Sequence, residues 1–230
     1  MTADNPSLST NAPRAAERPS ALTSKGKRAL DIAGAFALLM ASLPLWLVAG
    51  VLIAGTSAGP VLFRQQRVGA GGRVFTLYKF RTMHEGAPEE VHREYVTDLI
   101  TNGGRARADG GAAYKLVHDR RVTGVGRILR RYSLDEVPQL LNVLRGEMSL
   151  VGPRPPLEYE VAHYEPWQRL RLQVRPGMTG LWQVSGRNRL THDRMCQLDV
   201  EYIESWSLAL DLRIIAKTPW VMFVDAGGAA

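Results

Sequence analysis

Two adjacent carboxylates, Asp135 and Glu136, stand where the sequence predicts the start of a helix. Ser133 precedes them, and apolar side chains follow at helical spacing, at Leu140, Leu141 and Leu144. Unpaired amides at a helix start favour anions, which helps to keep a carboxylate ionised at neutral pH. These residues suit either simple helix capping or chemistry that needs an ionised acid.

Pro138 limits where this helix can begin. If Ser133 were the cap, Pro138 would be the fifth helical residue, at a cost of about 3 kcal/mol. With Leu134 or Asp135 as the cap, the proline falls in the first turn, where it is tolerated. Gly146 is placed to end the helix. The acidic pair is therefore predicted at the helix mouth.

The two acids suit two different tasks. Neighbouring helical residues do not face each other, so Asp135 and Glu136 are not expected to share one proton. One carboxylate can attack phosphorus while the other holds a divalent metal ion. Capping alone explains the same residues, and the acidic pair by itself leaves both interpretations open.

A proline-rich loop follows the helix. Pro153, Pro155 and Pro156 fix the backbone φ on both sides of Arg154. A guanidinium held in this way can bind phosphate through paired hydrogen bonds. Taken alone, the loop is also typical of a surface turn with a solvated arginine.

A second group of cations lies in a predicted β-hairpin, formed by residues 61–63 and 73–81. Lys79 and Arg81 flank Phe80, so both cations are expected on one face of the strand and Phe80 on the other. They form either a cationic wall near phosphates or lipid headgroups or a solvated strand edge. The residues alone favour neither.

Three motifs occur together: LYKFRTM at 77–83, the stretch 127–156, and RPGMTGLWQVSGRN at 175–188. Together they resemble the bacterial monotopic phosphoglycosyl transferases, the initiating sugar transferases of exopolysaccharide and O-antigen assembly. The resemblance runs from about Lys27 to about Trp220. It implies transfer of a sugar-1-phosphate from a UDP-sugar to undecaprenyl phosphate with release of UMP, as the first membrane step of polymer synthesis. Mg²⁺ is the implied cofactor.

The resemblance also implies roles for individual residues. Asp135 becomes the nucleophile, which carries the phosphosugar as a covalent aspartyl intermediate, and Glu136 becomes the Mg²⁺ ligand. Phosphate-binding cations are expected at Arg130, Arg154, Arg187, Lys79, Arg81 and Arg175. Arginine suits this task because its guanidinium can contact two phosphate oxygens at once.

An apolar stretch from about residue 32 to 55 is long enough to enter a bilayer. It is too long for the apolar part of a signal peptide. Lys25, Lys27 and Arg28 precede it, and further basic residues follow from Arg64. Cytoplasmic flanks are normally the basic ones, so entry and exit by the same face is favoured over a single span.

Pro44 provides a place for this re-entrant helix to bend. The resembled family usually has Ser directly before that proline; here Leu43 takes the position, so Ser42 would have to supply the hydroxyl. Asp31, at the apolar boundary, is expected to pair with Arg28, to cap the entering helix or to be a simple surface charge.

Length, net charge and cysteine content limit the classes of protein that the sequence can represent. The chain has 230 residues, a net charge of +7 and one cysteine, Cys196. It therefore has no disulfide framework, and its charge favours an anionic partner, including anionic membrane lipids. No nucleic-acid motif is present, so no nucleic-acid partner is expected, and a homodimer is left open. The alternative is a non-catalytic basic protein that binds membrane surfaces or nucleic acid.

The predicted fold is mixed α/β, mostly helical with a small sheet, on the cytoplasmic face of the bacterial inner membrane. Residues 1–24 are expected to form a disordered tail, 25–58 the re-entrant membrane helix, and 59–230 the catalytic domain with a flexible insert at 101–113. Helices are expected near 88–100, 158–174, 195–205 and 208–223, and a short strand at 181–184.

Overall fold

The computed structural model describes residues 24–86, 90–101, 119 and 121–224. The tail predicted for 1–24 and the insert predicted for 101–113 lie almost wholly outside these residues. The described helices are α1 (Lys25–Ala41), α2 (Leu43–Thr56), α3 (Glu90–Thr101), α4 (Gly124–Arg131), α5 (Leu140–Arg145), α6 (Glu158–Ala162), α7 (His192–Glu204) and α8 (Leu208–Val224). The strands are β1 (Leu62–Val68), β2 (Val74–Phe80), β3 (Ser149–Val151) and β4 (Gly177–Thr179). A mostly helical fold with little sheet is confirmed.

Helices α1 and α2 form one bent apolar pair. Their axes differ by 58° across a break at Ser42, and no single described helix is long and apolar enough to cross a membrane, although this pair together is. Pro44 occupies the first turn of α2. The Ser42 hydroxyl donates to the Leu39 carbonyl at 2.9 Å. The predicted bend is therefore present, and Ser42 supplies the hydroxyl.

Polar side chains of α1 bind the rest of the fold. Asp31 is only 2% exposed, and its Oδ1 accepts hydrogen bonds from the Ser149 hydroxyl and the Leu150 amide, at 2.9 and 3.0 Å. The expectations that Asp31 pairs with Arg28, caps the helix or lies on the surface are therefore wrong. Arg28 instead donates to the Val143 and Leu144 carbonyls at the end of α5.

Lys27 is also buried, and it connects α1 to α8. Its Nζ lies 2.7 Å from Asp211 Oδ2 and donates to the Val151 carbonyl at 3.1 Å. The Tyr202 hydroxyl lies 2.7 Å from Asp211 Oδ1, and the Trp206 indole donates to Oδ2 at 3.1 Å. Lys27 and Arg28 thus attach the start of the apolar pair to the domain.

Strands β1 and β2 form the predicted hairpin. They pair antiparallel from Leu62 opposite Phe80 to Val68 opposite Val74. Phe80 is buried in a cluster with Ala49 and Ile53 of α2. The hairpin therefore lies between the bent helix pair and the segment that carries the acidic residues.

Strands β3 and β4 pair in parallel where two loops pass close together. A Cβ added at Gly152 would lie 2.6 Å from the Arg175 carbonyl oxygen, so only glycine fits this crossing. The strand predicted at residues 181–184 is wrong: that stretch is a turn, and the strand lies at Gly177–Thr179. An apolar run alone could not distinguish the two, since Trp182 is buried within the turn.

Candidate active site

The acidic pair lies on a tight turn between α4 and α5. A 3-10 turn covers Leu134–Gln139, and α5 begins only at Leu140. Ser133 precedes the turn with φ 53° and ψ 23°, in the left-handed region, and its side chain makes no capping hydrogen bond. The cap predicted at Leu134 or Asp135 is therefore wrong. Pro138 falls in the 3-10 turn, so it interrupts no α-helix, and Gly146 ends α5 with φ 83° as predicted.

Asp135 and Glu136 have different surroundings on this turn. Asp135 is 5% exposed, whereas Glu136 is half-buried. Glu136 Oε1 lies 2.9 Å from Lys79 Nζ, which comes from β2. The predicted cation and the predicted acid are thus brought together from positions 57 residues apart. Because the ion pair between Lys79 and Glu136 is partly exposed, it positions these two side chains more than it stabilises the fold.

Asn142 fixes the distance between α5 and β2. It is fully buried; its Oδ1 accepts from the Tyr78 amide at 3.1 Å and its Nδ2 donates to the Thr76 carbonyl at 2.7 Å. The amide side chain thereby pairs with the outer edge of β2 as another strand would. Lys79 follows directly, so this clamp places it beside the acidic turn. Sequence reasoning missed Asn142, although a polar residue among four leucines and valines was a signal.

Arg187 reaches the same turn from a third segment. Its Nη2 donates to the Ser133 hydroxyl at 2.9 Å, across 54 residues of sequence. The backbone of Arg187 also has a positive φ, 50°. The cation predicted from the third motif therefore contacts Ser133, which lies two residues before Asp135 in sequence.

Arg154 is held by a carboxylate that sequence reasoning missed, and its expected contact with phosphate stays a prediction. Its Nη1 and Nη2 donate to the two oxygens of Glu160 at 2.8 and 3.2 Å, and Glu160 is fully buried. Burial acts to raise the pKa of Glu160, but Arg154 and Arg67 outweigh it and hold that pKa below its usual value. No local pattern distinguishes Glu160 from an exposed glutamate.

Arg67 links this ion pair to the hairpin. Its Nη1 donates to the Pro155 carbonyl at 3.0 Å and lies 3.9 Å from Glu160 Oε1. Burial and the neighbouring Arg154 lower the pKa of Arg67 to about 10, so the group stays charged at neutral pH. The negative charge of Glu136 acts in the opposite direction and raises the pKa of Arg67. Buried Arg67 and half-buried Arg154 therefore share one carboxylate near the acidic turn, and these three side chains carry a net positive charge.

Replacing Glu160 by Gln is expected to reduce stability by about 1.5 to 3 kcal/mol, because one charged acceptor of Arg154 is lost while a hydrogen bond can remain. Folding lowers the pKa of Glu160, so its carboxylate stabilises the fold fully above the pKa of the unfolded state, 4.5. This stabilisation is lost as the pH falls through the lower pKa of the folded state. Thermal unfolding at pH 7 and at pH 4 measures this. A difference from wild type that grows on acidification would contradict the assignment.

The other predicted cations lie outside this group of contacts. Arg81 follows β2 and is buried; its Nη2 donates to the carbonyl and hydroxyl of Ser57, the residue that ends α2, so its contacts are structural. Arg130 lies in the last turn of α4, and its charge helps to lower the pKa of Asp119, which is lowered chiefly by Arg121. Arg175 is half-buried beside the Gly152 crossing. The phosphate contacts expected of these three residues stay predictions.

The donor set at the acidic turn fits Mg²⁺ only if substrate contributes ligands. Within the described ranges there is no group of three His, Cys, Asp or Glu residues suited to a metal ion. Mg²⁺ commonly takes one or two carboxylates and completes its shell with water and phosphate oxygens. Asp135 and Glu136 supply carboxylates of this kind, and Lys79 is the cation that a metal at Glu136 would compete with.

The sequence matches known proteins over most of its length. The family model described as bacterial sugar transferase matches residues 22–225. The exopolysaccharide production protein ExoY of Rhizobium meliloti is 42% identical over 192 residues, which are 84% of this chain and 83% of ExoY.

Two longer relatives carry more specific names. The UDP-glucose:undecaprenyl-phosphate glucose-1-phosphate transferase of Caulobacter vibrioides is 44% identical over 84% of this chain and 67% of its own. The undecaprenyl-phosphate galactose phosphotransferase of Salmonella typhimurium is 41% identical over 85% of this chain but only 40% of its own. The chain therefore spans less than half the length of some relatives.

Proposed function

Because the chain belongs to the bacterial sugar transferase family, we propose that it transfers a sugar-1-phosphate from a UDP-sugar to undecaprenyl phosphate and releases UMP. The names of the Salmonella and Caulobacter relatives support an undecaprenyl phosphate acceptor. The name of ExoY supports a place in exopolysaccharide production. The proposal assigns the reaction to the cytoplasmic face of the bacterial inner membrane.

The observation that carries this proposal is the convergence of two cations on one acidic turn. Lys79 of β2 bonds to Glu136, and Arg187 bonds to Ser133, so both cations contact the segment from Ser133 to Glu136. A capping function alone would not need these cations. A site that brings a diphosphate to a carboxylate nucleophile does need them, because they offset the repulsion between two anions.

In the proposed reaction, an Asp135 carboxylate oxygen attacks the β-phosphorus of the UDP-sugar. The bond from that phosphorus to the bridging oxygen breaks, and UMP leaves with the bonding electron pair. A phosphate oxygen of undecaprenyl phosphate then attacks the same phosphorus and releases Asp135, which forms the undecaprenyl-diphosphate sugar. Arg187 and Lys79 bind the phosphates through both steps. Glu136 would hold Mg²⁺, which when bound neutralises charge on the diphosphate.

The bent helix pair is proposed to enter the membrane and to leave by the same face. Its two ends bind the same domain, through Lys27 at the start of α1 and through Ser57 at the end of α2. Large apolar side chains are exposed along the pair, at Ile32, Phe36, Leu38, Met40, Leu43, Leu47, Val48, Val51 and Leu52. An apolar surface of this extent is typical of a membrane contact.

Cysteines placed at the two exposed ends of the pair, Lys25→Cys and Ala58→Cys, are expected to react with a membrane-impermeant maleimide from the cytoplasmic side only. Inverted and right-side-out membrane vesicles provide the two sides for the measurement. Cys196 is buried and serves as the background in the parent chain. Labelling of the two positions from opposite sides would indicate a single span instead.

The reaction itself is tested by UMP release from a panel of UDP-sugars by purified protein in detergent. We expect release that needs both Mg²⁺ and undecaprenyl phosphate for turnover, and the best donor identifies the sugar. Folded protein that releases UMP from none of the panel, while it binds anionic vesicles in a salt-sensitive manner, would favour the non-catalytic alternative.

A further inference from the structure

Two strained residues meet directly beside the proposed nucleophile. In the described part of the chain, Ser133 and Arg187 are the non-glycine residues with positive φ, at 53° and 50°. A left-handed backbone is unfavourable for residues other than Gly, Asn and Asp. Strain of this kind persists when surrounding contacts maintain it, and it is concentrated at functional sites. Here the contact that joins the two residues is the hydrogen bond from Arg187 Nη2 to Ser133 Oγ.

The backbone conformation of Ser133 orients the acidic turn. Its amide donates to the Arg130 carbonyl at the end of α4, and its carbonyl accepts from the Glu136 amide, both at 3.2 Å. The left-handed residue thus joins the helix to the 3-10 turn that carries Asp135. A substitution of Ser133 is therefore expected to alter both the orientation of Asp135 and the position of the Arg187 side chain.

One nitrogen of the Arg187 guanidinium makes no hydrogen bond within the described part of the chain. Nη1 is buried and has no hydrogen-bond partner among the described residues. A buried guanidinium nitrogen without a partner is costly and marks a place for an anionic acceptor. The hydroxyl of Ser133 binds Nη2, whereas Nη1 keeps its capacity to donate to an oxygen atom of a ligand.

We infer that Ser133 is a positioning residue, which holds Arg187 so that a diphosphate bound through its Nη1 is presented to Asp135. This inference rests on the proposed function and extends it by a residue and a contact. Ser133 does not touch the reacting atoms; it acts through Arg187. Its hydroxyl, and not only its backbone conformation, is what the site requires.

Substitutions at Ser133 separate these two contributions. Ser133→Ala removes the hydroxyl and keeps the backbone strain, whereas Ser133→Gly removes both. Loss of a hydrogen bond to a charged group is expected to weaken UDP affinity and to lower kcat/KM for the UDP-sugar by about tenfold to a hundredfold in both variants. The effect should lie mainly in KM, because Arg187 binds the donor before and during the reaction. Ser133→Gly should unfold at or above the wild-type temperature.

A double-variant cycle with Arg187→Met completes the test. We expect Ser133→Ala to have little further effect on UDP affinity once Arg187 is replaced. Wild-type affinity and turnover in Ser133→Gly, or fully additive effects in the double variant, would overturn the inference. UDP binding needs no turnover, so it is measured even if no donor is found. Absence of UMP release would then count against the proposed function alone, and absence of UDP binding to wild type against both.

Discussion

Replacing Asp135 by Asn is expected to reduce UMP release by about 10⁴-fold or more, because the amide keeps the shape of the side chain but is no nucleophile. Asp135 is 5% exposed, so Asn fills the same space and the fold should be retained. Turnover of each UDP-sugar donor, together with thermal unfolding, measures both effects.

The matched control for this variant is Glu201→Gln. Glu201 is an exposed carboxylate on α7 that pairs with exposed Arg194 at 2.8 Å. Its replacement should leave turnover within about twofold of wild type, since exposed pairs contribute little. An Asp135→Asn protein that turns over near the rate of the control would remove Asp135 from the role of nucleophile.

The largest effect on stability is expected at the pair between Lys27 and Asp211. Both side chains are at least 95% buried, and they connect α1 to α8. Lys27→Met should reduce the free energy of unfolding by about 3 to 5 kcal/mol, because Asp211 is left as an uncompensated buried charge. Unfolding of the full chain in detergent micelles is the measurement.

Two further variants sharpen that prediction. Lys27→Met with Asp211→Asn should be less destabilised than the sum of the single variants, by about 1 to 3 kcal/mol, since both charges are then removed. Arg194→Met, which breaks an exposed pair, should change stability by about 0 to 1 kcal/mol. If Lys27→Met unfolded like Arg194→Met, the buried pair would not hold α1 to the domain.

Local signals in the sequence predicted the elements that depend on local chemistry. Gly146 ends its helix in the left-handed conformation, and the bend lies next to Pro44. The predicted hairpin is present because alternation and glycine turns are local features, and β2 lies at nearly the predicted positions, whereas β1 continues to Val68, five residues beyond its predicted end. The start of α5 lies later than predicted, because the residues after left-handed Ser133 form a 3-10 turn over Leu134–Gln139 that the helical spacing of the leucines did not reveal.

Residues whose roles depend on distant partners could not be found in this way. Glu160 and Asp31 look like ordinary surface acids in the sequence, yet both are buried by segments that the chain supplies elsewhere. Arg81 follows the same logic: its partner Ser57 lies 24 residues earlier, so its contact with the end of α2 could not be predicted from the sequence. Motif order predicted that Lys79, Arg187 and the acidic pair belong together; only the fold shows which atoms meet.

The covalent intermediate is the central claim, and peptide mass spectrometry tests it most directly. Wild-type protein is incubated with the donor UDP-sugar and Mg²⁺ in the absence of undecaprenyl phosphate, then quenched and digested. We expect the mass of one sugar phosphate on the peptide that contains Asp135, lost on addition of undecaprenyl phosphate and absent from Asp135→Asn. Label on another residue, or turnover at the full rate without any labelled peptide, would contradict the account.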